Sequence, residues 1–192
     1  LLERLPRLDF IINNACQTVR RPPGFYKHLM DHELAAPAEH VRSLLASHEA
    51  LRADAGLVAR DRLPRQAGLL ASAELSQVPL LPEDHGQDLH LFPDGKLDAD
   101  LQQVDLRGRN SWRLTLAEVP SVELLEVQLV NAIAPFVLNA RLKPLMSRVP
   151  TRDKHIVNVS AMEGQFYRAW KTDRHPHTNM AKAALNMMTR TS

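Results

Sequence analysis

Glycine is scarce in this chain, with seven in 192 residues, where average usage gives roughly 13–14. They are Gly24, Gly56, Gly68, Gly86, Gly95, Gly108 and Gly164, widely scattered. Such spacing excludes a glycine-rich phosphate cradle of the G-x-G-x-x-G or G-x-x-x-x-G-K-[ST] kind within these residues. A single cysteine, Cys16, excludes an internal disulfide, and a reducing, cytoplasmic setting is the expectation. Charge of one sign is also lacking. A net formal charge of +2 argues for no nucleic-acid partner, despite a pI near 8.9. The longest largely apolar stretch, residues 127–140, is interrupted by Gln128, Asn131, Pro135 and Asn139. It falls short of the ~20 residues of a membrane span, so no membrane is expected. The opening Leu-Leu-Glu-Arg-Leu-Pro has no basic region leading into an apolar core, and no secretory signal is read there.

What is present falls into three zones. The length suits one domain, or one domain with an insertion. Residues 8–15, Leu-Asp-Phe-Ile-Ile-Asn-Asn-Ala, read as a short buried strand. Residues 20–120 are rich in Pro, His, Arg and Ala and read as a largely helical or irregular insertion. The insertion opens on the turn signal Arg20-Arg21-Pro22-Pro23-Gly24. Within it, residues 38–58 have helical composition, and Pro79, Pro82 and Pro93 break up its second half. Ser121, after Pro120, reads as an N-cap for a helix from Val122 to about Met146. That helix is apolar almost all round, which predicts burial on several sides. Residues 155–160 read as a second buried strand, 161–176 as an irregular loop and 178–191 as a helix. The order of elements predicts an α/β fold around a doubly wound parallel sheet, built from residues 1–19 and 121–192.

Three features bear on chemistry. Pro135 has no N–H, so the Asn131 carbonyl loses its usual i→i+4 donor, and the helix should kink there. The result is either a kink with an internally bonded Asn131 or a site for ordered water and proton relay. Asn13-Asn14-Ala15 and Val159-Ser160-Ala161 end the two strands, where open parallel sheets bind ligands. Lys182 lies on a largely apolar helix, where a lysine either snorkels to solvent or points into a site. Nine histidines invite a metal reading. His32, His40 and His48, however, recur every eight residues and do not share a helix face. No Cys/His cluster has zinc-ligand spacing, so no metal is expected.

Together these segments resemble the short-chain dehydrogenase/reductase superfamily. Residues 8–15 resemble the family's fourth strand with its Asn-Asn-Ala-Gly motif, here with Cys16 for the glycine. Val130-Asn131-Ala132 with Pro135-Phe136 resembles its central helix. Ile156-Val157-Asn158-Val159-Ser160 resembles its fifth strand, and Asn179 to Asn186 the start of its lysine-bearing helix. The resemblance covers under half of the chain. It implies a Rossmann-like sheet, NAD or NADP as cofactor, and hydride transfer to or from a small carbonyl or alcohol substrate. It also implies roles for Asn131 (water in the proton relay), Ser160 (substrate oxygen) and Lys182 (ribose hydroxyls and the acidity of a tyrosine). Asn14 and Ala15 would lie along the cofactor. The family's tyrosine would stand at position 178, which is Thr178, and the family's spacing back from Gly164 lands on Ala161 rather than Ser160. A threonine hydroxyl is a poor proton donor beside a phenol of pKa ~10.

His175 stands seven residues before Lys182, where enoyl reductases of the same superfamily carry their tyrosine, and is a candidate donor. Tyr167, in the preceding loop, is another. The simpler reading of His175-Pro176-His177 is a helix entry with Pro176 near N1. A homo-oligomer through the helices at 121–146 and 178–192 fits the same picture. The absent phosphate cradle makes an internal fragment the expectation. The competing classes are a catalytically inactive relative and an interaction module built around the insertion.

Overall fold

A computed structural model describes residues 1–34, 38–42, 75–86 and 89–192. Their elements in chain order are β1 (Phe10–Asn13), α1 (Pro23–Leu34), α2 (Ser121–Gln128), α3 (Ala134–Met146), β2 (His155–Asn158) and α4 (Pro176–Thr191). Short 3-10 turns punctuate the rest, and a five-residue π turn, Leu129–Ile133, joins α2 to α3. The chain divides into two compact units, Leu1–Arg20 with Gly108–Ser192, and Arg21–Arg107.

In the first unit β1 and β2 pair in parallel, with Phe10 opposite His155 and Asn13 opposite Asn158. This pair is the whole sheet among the described residues. The expected doubly wound, Rossmann-like sheet is therefore overturned, because the fold is mostly helical with a two-stranded sheet. The reason is visible in the residues. A doubly wound sheet needs several β-branched runs separated by crossovers. Among the described residues, Ile11-Ile12 and Ile156-Val157 are the two such runs that form strands. The strands are also less buried than expected. β1 buries alternate residues, Ile11 and Asn13, while His155, Ile156 and Val157 of β2 are exposed.

The helical segment 121–146 departs from expectation in three ways. Pro120 occupies the N-cap position with extended backbone, and Ser121 is the first helical residue and makes no capping bond. At Pro135 the helix widens instead of simply kinking, and the Ala134 N–H reaches back five residues to the Leu129 carbonyl. The missing proline N–H is absorbed by π geometry. Burial is one-sided. Glu123, Val127, Asn131, Pro135 and Asn139 form the inner stripe, while Leu129, Ile133, Phe136 and Val137 are exposed. A four-residue repeat over-rotates an α-helix by about 40° per step, and the i→i+5 turn takes up part of that drift. The segment is long and apolar enough to cross a membrane by length and composition, a test that core helices also pass.

α4 packs against α2, the π turn and the 3-10 turn Met162–Gly164. It presents His177, Thr178, Ala181, Lys182 and Leu185 inward, at the i, i+4, i+8 spacing of one helix face. Pro176 sits at N1, where its fixed φ suits helix entry.

The second unit gathers on Phe25 of α1, whose ring meets Phe92 edge-on at 5.7 Å and lies 4.1 Å beneath the Arg21 guanidinium. Asp105 is gripped by Arg107 at 2.8 Å. Burial alone would raise the Asp105 carboxyl, but the hydrogen bonds from Arg107 and the charges of Arg107 and Arg21 hold it below its ordinary value. Of the helix expected at 38–58, residues 43–58 lie outside the described residues, as does His48.

Candidate functional site

The strand ends are organised by amide side chains. Asn13, across from Asn158 in the register, donates from Nδ2 to Asn139 Oδ1 (3.0 Å) and to Asn158 Oδ1 (2.8 Å). Asn158 in turn donates to Thr189 Oγ1 at 2.9 Å. This chain of amides ties β1 and β2 to α3 and α4. The sequence signal for it was an asparagine at an inward register position of each strand. Asn14 and Ala15, just beyond β1, are exposed and stand outside this network.

Asn131 is 1% exposed in the π turn. Its Oδ1 accepts from the Gln17 N–H at 2.7 Å, and its Nδ2 donates to the Gln17 carbonyl at 2.8 Å. The side chain thus satisfies both backbone groups of one residue, as a neighbouring strand would. Gln17 Nε2 and Arg20 Nε both reach Glu126 Oε2, at 3.0 and 3.1 Å.

Lys182 does not snorkel. It is 4% exposed, and its ammonium donates to the Val159 carbonyl at 2.9 Å. Ser160 lies beside it, with Oγ donating to the Lys182 carbonyl at 3.3 Å. The structure therefore brings Ser160 and Lys182 together at the end of β2. Thr178 is buried one turn earlier on the same face, and its Oγ1 has no hydrogen-bond partner among the described residues. His175 stands at the N-cap, roughly 10 Å from Lys182 along a helix rising 1.5 Å per residue. It adopts left-handed backbone (φ 42°), with Nδ1 3.1 Å from Asn179 Oδ1 and its ring edge-on to Trp112 at 4.5 Å. Tyr167 points into solvent.

The Lys182 backbone is held by Gly164. A Cβ at position 164 would stand 2.7 Å from the Lys182 carbonyl carbon, 2.8 Å from Lys182 Cβ and 2.9 Å from the Ala183 nitrogen. These are mostly backbone atoms of a helix and cannot swing aside. Gly164→Ala is expected to force the Met162–Gly164 turn off α4 at a cost of about 1–3 kcal/mol. A urea midpoint shift with unchanged m-value measures it.

A second buried cluster has no counterpart among the expected site residues. His177 Nε2 meets Glu123 Oε1 at 3.2 Å, with both side chains almost fully enclosed. The other ring nitrogen, Nδ1, has no partner among the described residues. Burial alone would raise the Glu123 carboxyl. Hydrogen bonds from His177 and Ser111, with the charges of His177 and Arg20, outweigh that and hold it below its ordinary value. No group of three or more His, Cys, Asp or Glu placed to hold a metal ion occurs among the described residues.

No family model matches the chain, and no solved structure matches it significantly. It is similar to a curated protein of Acanthamoeba polyphaga mimivirus, described as "Uncharacterized protein R665", at 37% identity over 87 residues. The match covers 45% of this chain and 18% of the viral protein, so the chain spans under a fifth of that relative's length.

Proposed function

We propose that the chain carries the lysine-bearing part of an oxidoreductase site of the short-chain dehydrogenase/reductase kind. That site would use NAD or NADP to move a hydride to or from a carbonyl or alcohol carbon. The observation that supports this reading is Lys182, whose enclosed ammonium donates to the Val159 carbonyl just beyond β2, while the Ser160 hydroxyl meets the Lys182 backbone carbonyl. Enclosing a charge is costly unless it is paired or used. An ammonium has three donors, and the Val159 carbonyl takes one. The remaining donors suit a vicinal diol such as the ribose of a nicotinamide nucleotide, which would supply the hydride. Ser160 would orient the substrate oxygen. The phosphates find no glycine-rich cradle within these residues.

The test uses the longest natural product containing these residues, assayed for oxidation of NADH and NADPH against a panel of aldehydes and ketones. Lys182→Met is expected to reduce kcat/KM by about 10²–10⁴, as for loss of a group in proton transfer. Failure of the unaltered protein to bind either nucleotide would overturn the reading. Thr178 favours a second reading, a relative that binds nucleotide without turnover. An aliphatic hydroxyl at that place supplies no acidic proton near neutral pH. Tight nucleotide binding with no reduction of any carbonyl would select it.

A further inference from the structure

Lys182 is enclosed, yet what encloses it is slight. Its ammonium has three donors and meets one acceptor among the described residues, the Val159 carbonyl at 2.9 Å. A buried cation with spare donors is under-compensated. The cover comes from one short stretch of chain. Val159 supplies the carbonyl, Ser160 Oγ donates to the Lys182 carbonyl at 3.3 Å, and Gly164 lies against the Lys182 backbone and Cβ. Three contacts from residues 159–164 thus converge on a single residue of α4.

The stretch between β2 and α4 has little else to hold it down. Its ends are fixed. The Val159 N–H donates to the Asn13 carbonyl at 3.0 Å, Arg174 bridges to Thr115, and the His175 N–H reaches the Leu114 carbonyl at 2.8 Å. Between those ends, Gly164 is the one buried residue of 161–173, and it brings no side chain to its seat. Phe166, Tyr167 and Trp170 are 87%, 95% and 88% exposed, so their rings anchor nothing. Among the described residues, the hydrogen bonds of 161–171 close within the stretch. The Gly164 and Gln165 N–H groups donate to the Ala161 and Met162 carbonyls, both at 3.0 Å. Arg168 Nη1 reaches the Glu163 carboxylate at 2.8 Å, and Lys171 Nζ donates to the Glu163 backbone carbonyl at 2.6 Å. A segment tied to itself, fixed at both ends and seated without apolar burial opens locally as a unit.

We propose that residues 160–173 are a strap that opens locally and gates access to the Lys182 ammonium. Shut, the strap leaves Val159 as the sole acceptor and keeps a ligand out. Open, it lifts Ser160 and Gly164 from α4. The ammonium keeps the Val159 carbonyl, which belongs to the strand end, and offers its spare donors to an oxygen-rich ligand. The same movement frees Ser160 Oγ from the Lys182 carbonyl and makes it available to a substrate oxygen. The use made of the bared site rests on the oxidoreductase reading above, whereas the opening itself does not.

The experiment is trace acetylation of the full folded chain with acetic anhydride, the rate at each lysine being read by mass spectrometry across a series of low urea concentrations. Lys96 and Lys143, both exposed, set the unhindered rate. Lys182 is expected to react roughly 10–1,000-fold more slowly than they do. Its rate should be flat in urea below the global transition, as for a local opening that exposes little surface. Ser160→Ala removes one seating bond and should speed Lys182 roughly two- to tenfold. Gly164→Ala should speed it roughly five- to hundredfold, and Ser160→Ala carries the test alone if that variant does not fold. A Lys182 as reactive as Lys143 in the unaltered chain overturns the proposal, because nothing is then gated. So does a Lys182 rate that climbs with urea from the lowest concentrations in parallel with global unfolding, which makes the strap part of the core. A flat rate that the substitutions leave unchanged overturns it too, since access then comes by another route. The labelling needs neither nucleotide nor turnover, so failure here and failure of the oxidoreductase reading are told apart.

Discussion

His177→Leu is expected to destabilise the chain by about 3–5 kcal/mol, because it leaves the Glu123 carboxylate enclosed without its partner. For a chain of this size that lowers the melting temperature by roughly 6–20 °C. Glu123 lies on the first turn of α2 and His177 on the first turn of α4, so their contact clamps the two helix starts together. A double-mutant cycle tests the interaction itself. Glu123→Leu alone should also destabilise, since the imidazole then loses its acceptor. The paired Glu123→Leu/His177→Leu variant should recover most of the loss, because apolar residues of similar volume can replace a buried pair at little cost. A double-variant loss equal to the sum of the two single losses would mean that the side chains do not interact and that the helices meet through packing alone.

The same pair sets an acid limit. The Glu123 carboxyl is held below its ordinary value in the fold. A group with a depressed folded pKa contributes stability that is fully present above its unfolded pKa, near 4.3, and is lost as pH falls through the folded value. The unaltered chain should therefore lose stability on acidification below about pH 4. Glu123→Gln should be less stable at neutral pH yet flatter across that acid range. Chemical denaturation at a series of pH values distinguishes the two slopes.

What was legible in the sequence was local. The β-branched runs at Ile11-Ile12 and Ile156-Val157 and the helix ending near Met146 arise from residue type and period, and all three are present. Pro135 marked the place where the helix is irregular, because a missing N–H is a property of one residue. The size of the sheet was not legible in this way. A parallel sheet grows by pairings between distant segments, and residues 8–15 carry the same β-branched signal whether two strands or six assemble around them. Burial of Lys182 was equally hidden, since its helix neighbours fit either a solvated or an enclosed stem until the Val159 carbonyl is known to face it. The Glu123–His177 contact joins residues 54 apart in the chain. Taken alone, Glu123 reads as a helix-start acid and His177 as part of a helix entry. Only the packing of α4 on α2 makes them a pair.

Asn131 shows how a residue flagged for one reason is held by another, and its substitution carries the second large effect. The freed backbone carbonyl drew attention to position 131, but the side chain makes the contacts that the geometry displays, to both backbone groups of Gln17. Asn131→Ala removes both bonds and leaves two polar groups at Gln17 to find other partners. Each such group costs roughly 1–3 kcal/mol when it stays buried, so a loss of about 2–4 kcal/mol is expected. Asn131→Asp is the sharper test. Its carboxylate still accepts from the Gln17 N–H but turns a second oxygen toward the Gln17 carbonyl, where an N–H donor belongs. The repulsion favours the neutral acid, which donates one O–H to that carbonyl, so the folded pKa of the new carboxyl is raised. A raised folded pKa stabilises below the unfolded value, near 3.9, and that stability disappears as pH rises through the folded value. Asn131→Asp should therefore be at least as unstable as Asn131→Ala at pH 7 and should regain stability relative to it by about pH 5. Ala and Asp variants that both keep the stability of the unaltered chain would remove the Gln17 clamp. They would leave position 131 with its backbone carbonyl alone, which no side-chain substitution alters.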